Sequence, residues 1–243
     1  MCELTGKTEE EIFTDLKGVI FLNPMHGYGN SAQAKYLMAD EYLSGNVREK
    51  LVLARKSAEL YPEDYTVNVE ALERVQPKDL TASEIAVRLG ATWLPTEIVE
   101  QFMFEFLGTP RYAQWNIKVH FSAYTGEWNI EGKSYDRSNV KAYSTYGTGR
   151  INAYKIIEET LNLKDVRIFD YVEDADGKKK AILNKKETAI AQAKQELIKQ
   201  GFQDWVWSDP ERRERLCRLY NDKFNSLRPR EYDGSHIAFS GMN

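Results

Sequence analysis

A chain of 243 residues with 42% hydrophobic and 29% charged composition has enough apolar content to bury a core, as one large domain or two small ones. A formal net charge of −4 excludes a protein coated all over in nucleic acid, and two distant cysteines, Cys2 and Cys217, exclude a disulfide framework and a short-spaced zinc site. No apolar run approaches the roughly 20 residues needed to span a bilayer, and the opening MCELTGKTEEE lacks the order of a secretion signal. The expectation is a soluble protein of the reducing cytoplasm that touches no membrane.

In chain order, Thr8 with Glu11 forms a capping box, and a short helix over 9–16 follows. Gly18 breaks it. Residues 19–22 read as a strand ending at Asn23-Pro24, and the Gly/Asn/Ser-rich stretch MHGYGNSAQAK is a loop before the apolar Tyr36 to Met38. Helix, strand, loop, strand resembles a small wing. Helical spacing returns over 47–60 and 67–75 until Pro77 stops it. Thr81 and Glu84 make a second capping box, ahead of EIAVRLG and an exit at Gly90. Pro95 opens a further helix over 96–107.

After Gly108-Thr109-Pro110 the period changes. Trp115, Ile117, Val119 and Phe121 alternate with polar residues, and Trp128 and Ile130 answer on a return strand across Thr125-Gly126. Residues 140–146 are expected to add a third strand, 150–162 a helix, and 166–172 with 179–183 a second hairpin about Asp174-Ala175-Asp176-Gly177. Asn184 with Glu187, and Ser208 with Glu211, are two more capping boxes, the latter with Pro210 in the first turn. The predicted class is α+β. Residues 1–110 form a mainly helical lobe with a wing-like hairpin. Residues 111–243 form an α+β lobe with two hairpins, two closing helices and an extended tail that reads as running on into a longer protein.

Several candidate chemistries have plainer readings. Gly6-Lys7-Thr8 lacks the glycine spacing and leading strand of a phosphate loop, so Thr8 is better used as a helix cap. Gly147-Thr148-Gly149-Arg150 has no third glycine and serves as a helix entry. His26, His120 and His236 share no ligand spacing, and Asp170, Glu173, Asp174 and Asp176 are turn acids before they are a nuclease cluster. No catalytic or metal-binding residue is assigned.

Charge is the serious signal. Residues 178–230 hold fourteen Lys or Arg against seven Asp or Glu, a surplus of seven that leaves −11 for the rest. Lys178, Lys179, Lys180, Lys185 and Lys186 lie on a hairpin arm and the turn after it, where phosphate would suit them, and Arg228 and Arg230 continue the set. Arg212, Arg213, Arg215 and Arg218 look equally inviting, but Glu211 and Glu214 stand four residues before Arg215 and Arg218, the orientation that favours intrahelical pairs. Trp205 and Trp207 could stack on bases, though a position between two helices favours a core or interdomain role.

The runs LTGKTEEEIFTDLKGVIFLNP, ADEYLSGNVREKL, NVEALERVQPKDL, IAVRLGATWLP, YGTGRINAYKIIEETLNLKDVRIFD, WVWSDPERRERLCRLYNDKFN and YDGSHIAFSGMN together resemble large phage and mobile-element proteins that join an adenine-type DNA methyltransferase to a Swi/Snf-type superfamily-two helicase, including antirestriction proteins. The resemblance implies the region just upstream of the helicase core. ATP and Mg would then bind only in that core, beyond Asn243, and the partners would be DNA and the helicase and methyltransferase modules of the same chain. Neither the methyltransferase Asn-Pro-Pro-aromatic motif nor the helicase Walker boxes occur here. The implied role is a non-catalytic accessory or coupling region that assists sequence-independent DNA binding. Its rival is a protein-interaction scaffold that links the modules without touching DNA.

Overall fold

A computed structural model describes residues 2–26, 34–173 and 179–232 and has an α+β fold. The chain divides into two compact units, one formed by residues up to Leu80 with those from Arg218 onward, the other by Thr81–Cys217.

The first unit opens with α1 (Cys2–Thr5) and α2 (Glu9–Asp15). The Thr8 hydroxyl accepts from the Glu11 amide and the Glu11 carboxylate from the Thr8 amide, so the expected capping box is present. Gly18 takes φ +88°, a left-handed turn that suits glycine, and β1 (Ile20–Leu22) pairs antiparallel with β2 (Tyr36–Met38), which gives the wing. After α3 (Ala39–Tyr42) and β3 (Gly45–Asn46) come α4 (Val47–Leu60) and α5 (Pro62–Arg74). Pro62 starts α5 five residues before the apolar period does, because a first-turn proline gives up no helical hydrogen bond. Phe21, Tyr42, Val47, Leu51, Ala54 and Leu72 are the core of this unit. Phe21 stacks on Tyr42 with centroids 5.0 Å apart, and Asn68 donates to the Tyr42 hydroxyl (2.9 Å) and to the Leu22 carbonyl (2.8 Å). Burial pushes the Tyr42 phenol up to about 12.

The second unit begins with a correction. Thr81 and Glu84 do satisfy one another, but they close a single turn rather than start a helix. Ile85, Val87 and Leu89 are buried while Ala86 and Arg88 are exposed; this period of two sends alternate side chains inward from an extended backbone. Then come α6 (Thr96–Leu107), α7 (Arg111–Gln114), and the hairpin β4 (Lys118–Ser122) with β5 (Glu127–Glu131). The third strand expected over 140–146 is instead a π-helical turn, Lys141–Thr145. Asn139 decides this: its side-chain oxygen accepts from the Ala142 amide and its carbonyl from the Tyr143 amide, which winds the backbone.

The helix expected from 150 is α8 (Ala153–Leu161), starting later because Asn152 caps the Lys155 amide. Next are β6 (Phe169–Glu173), β7 (Lys179–Leu183), α9 (Lys185–Val206) and α10 (Pro210–Phe224). The expected Ser208 cap of α10 moves to Asp209, whose carboxylate accepts from the Arg212 amide at 2.7 Å, while Ser208 donates back to the Trp205 carbonyl. Phe102, Met103, Ile117, Trp128, Ile130, Tyr154, Ile156, Ile157, Ile198 and Phe202 anchor the core of this unit.

Beyond Cys217 the chain belongs to the first unit again. There β8 (Leu227–Arg228) pairs with β3, Asn221 brackets the Leu80 backbone, and the Arg48 guanidinium reaches the Asn225 carbonyl (2.9 Å) and the Asp79 and Asp222 carboxylates. Among the described residues no helix is long and apolar enough to cross a membrane.

Candidate nucleic-acid interface

The β6–β7 arm is rooted on α9. Asn184 caps that helix through the Glu187 amide (3.0 Å), donates its own amide to the Ile168 carbonyl (2.9 Å) and its side-chain nitrogen to Asp170 (2.8 Å). Thr188 accepts from the Ile168 amide at 3.0 Å. Beyond this root every described strand residue is exposed except Asp170, which is half-buried. The Asp170 carboxylate is occupied: Arg150 and then Asn184 hold it below the usual aspartate range. Arg150 also donates to the Phe169 carbonyl, so the guanidinium after Gly147-Thr148-Gly149 fastens the arm, and Asn152 does the helix capping.

Lys179 and Lys180 occupy the first two positions of β7, and Lys185 and Lys186 the first turn of α9. All four are exposed, and none lies within ion-pair distance of a carboxylate among the described residues. Glu173 stands opposite Lys179 in the strand register without closing an ion pair. Lysines at a helix N-terminus oppose the macrodipole at a cost of about 0.3–1 kcal/mol each, so Lys185 and Lys186 do not serve the helix they begin. Lys178, Asp174 and Asp176 lie outside the described residues.

Arg228 and Arg230, unlike the four lysines, meet carboxylates. Both belong to the first unit, where Arg228 meets Glu231 and the Leu43 carbonyl, and Arg230 clasps Asp40 through Nε (2.8 Å) and Nη2 (2.5 Å) and lies over the Tyr232 ring. Arg212 is buried. Its guanidinium stacks 3.6 Å from the Trp205 ring and donates to the Trp205 and Val206 carbonyls, closing the C-terminal end of α9. Trp205 packs against Phe102 and Phe202 and donates to Glu105 at 2.6 Å, which makes it a core side chain with a polar handle.

Two buried acids of the second unit were not singled out by sequence. Glu158 accepts from the Ile130 amide (2.8 Å), Lys133 and Lys155; burial pushes it up, but the two ammonium groups and the amide outweigh that and hold it below the usual glutamate range. Asp136 is enclosed and accepts from Asn139 and the Tyr154 hydroxyl, both at 2.6 Å. Both acids are tied into hydrogen-bond networks inside the unit, although Asp136 Oδ1 has no hydrogen-bond partner among the described residues. Lys7 of the Gly6-Lys7-Thr8 run pairs with Asp15, and His120 lies 3.5 Å from Glu131. His236 lies outside the described residues, and among them no group of three His, Cys, Asp or Glu could hold a metal ion.

Compared with known families, residues 88–226 match one described as Domain of unknown function (DUF8437), and residues 1–33 match one described as Probable helicase, winged helix domain. No curated protein and no solved structure matches the chain.

Proposed function

The chain belongs to the family described as Domain of unknown function (DUF8437), and on that premise we propose that it is an accessory module of a helicase whose β6–β7 arm and α9 N-terminus hold nucleic-acid phosphates. The helicase context rests on the winged helix match at residues 1–33, which supports a helicase-related accessory role. The proposed parent is the DNA methyltransferase and Swi/Snf-type helicase protein that the sequence runs resemble, with the motor and its ATP and Mg outside these residues. DNA would be held without regard to sequence, since lysines that project from an arm reach phosphates and not base edges.

One observation carries the reading. Lys179, Lys180, Lys185 and Lys186 are four exposed ammonium groups within eight residues of chain that make no ion pair among the described residues. Lys7, Lys35 and Lys118 are exposed lysines elsewhere in these units that do form ion pairs; what sets the four apart is that they lie together in the chain. A cluster left open at the positive end of a 22-residue helix favours an anion. The second reading, a scaffold between protein modules, draws on Val172 and Ile182, apolar and exposed on the same arm.

Fluorescence anisotropy with labelled DNA over a range of salt separates the two. Four phosphate contacts predict that log K falls with log salt with a slope near −3.6 on duplex, from about −0.9 per contact. Joint replacement of the four lysines by glutamate should abolish that dependence. Binding that ignores both salt and the replacements, or no binding at low salt, overturns the proposal.

A further inference from the structure

The two faces of the β6–β7 arm differ. In its register Phe169 lies opposite Leu183, Tyr171 opposite Ala181 and Glu173 opposite Lys179, so these six share one face, while Asp170, Val172, Lys180 and Ile182 share the other. Tyr171 is 71% exposed and Phe169 40%. Neither ring takes part in an aromatic contact among the described residues, and the residue across from Tyr171 is alanine, too small to cover it. An isolated two-stranded hairpin is marginal in water, and two aromatic rings left open to solvent on one do nothing to hold it.

Resting on the nucleic-acid reading above, we infer that this face takes single-stranded nucleic acid, one unpaired base stacking against Tyr171 and Phe169 while Lys179, Lys185 and Lys186 hold the neighbouring phosphates. The two aromatic residues are two positions apart on one strand, roughly 6.8 Å along its axis. That is twice the roughly 3.4 Å separation of successive nucleotides in one strand, room for one base between two rings. A duplex hides its base faces within its own stack and has none to offer. An unpaired base exposes a face to any ring, whatever its identity, and stacking of this kind is indifferent to sequence. The lysines supply the long-range attraction and the rings supply the preference for unpaired strand, so the two contributions separate by experiment.

The test uses the whole 243-residue chain, a single-stranded oligonucleotide carrying 2-aminopurine, and the matching duplex. Wild-type protein should bind the single strand more tightly than the duplex and quench the probe. Tyr171→Ala and Tyr171→Leu should each weaken single-strand binding about tenfold and remove the quench, with the salt slope unchanged, whereas Tyr171→Phe should keep both. Circular dichroism that matches wild type confirms that the exposed substitutions leave the fold intact. The inference is overturned if duplex binds as tightly as single strand, if Tyr171→Ala has no effect, or if Tyr171→Leu binds like wild type, which would mark an apolar contact with protein. Those outcomes leave the phosphate reading standing when the four-lysine replacement still abolishes the salt dependence of binding. If no nucleic acid binds at low salt, both fall.

Discussion

The second unit carries two hairpins of the same size and opposite purpose. In β4–β5 the alternation is put to use: Val119, Trp128 and Ile130 are buried, and Phe121 meets Trp128 across the strands at 4.6 Å. Asn162 fixes the edge of β5 by accepting from the Trp128 amide and donating to its carbonyl. In β6–β7 the strands are equally long and as rich in large side chains, yet Phe169, Tyr171, Val172, Ile182 and Leu183 remain exposed. Apolar residues on a strand therefore do not of themselves declare a core. Where the fold has no surface to lay against them, they stay exposed.

Removing the anchor of the first hairpin should do most damage. Trp128→Ala should cost about 3–5 kcal/mol of stability by chemical denaturation, whereas Tyr171→Ala, which removes an exposed ring from the second hairpin, should change it by less than about 0.5 kcal/mol. Equal losses would erase the contrast. Next comes Gly132, just beyond β5, which has φ +71° and would place a Cβ 2.0 Å from the Asn116 carbonyl oxygen. Gly132→Ala should lower stability by about 2–4 kcal/mol, against about 1 kcal/mol for Gly126→Ala, which has the same φ in open space at the hairpin turn.

The Glu158 network that supports β5 gives a smaller, pH-dependent effect. Because the folded-state pKa lies below the ordinary value of 4.5, its stabilisation is fully present above that pH and is lost as pH falls through the folded value. The gap in Tm between wild type and Glu158→Gln should be widest near neutrality and close on acidification. A gap that widens at low pH contradicts the assignment. The smallest effect belongs to the arm: Glu173→Gln removes the acid opposite Lys179 and should tighten nucleic-acid binding about two- to threefold at low salt while leaving Tm unchanged. Weaker binding would place Glu173 in contact with the ligand in some other role.

Local chemistry was the legible part. The helices over 47–60 and 96–107, the wing strand over 36–38, the first hairpin and the capping by Thr8 and Asn184 all follow from contacts between residues a few positions apart, which a sequence displays directly. Two errors came from competition between such rules. A capping pair at Thr81 outweighed the alternation of Ile85, Val87 and Leu89, and a β-like composition over 140–146 outweighed the Asn139 side chain. For the candidate site, sequence marked where basic residues are dense. It could not show which of them were already engaged.

The sequence by itself determined the α+β composition, the places where helical period gives way to alternation, and the excess of positive charge over 178–230. Only the tertiary structure decided that residues 218–228 return to the first unit, that Arg228 and Arg230 are held by Glu231 and Asp40, and that Arg212 closes a helix end beneath Trp205. It also left the β6–β7 lysines and rings open. The reason is range. Capping and periodicity act over three or four residues, whereas whether a cation is neutralised depends on a carboxylate that can lie 190 positions away in the chain, as Asp40 does from Arg230.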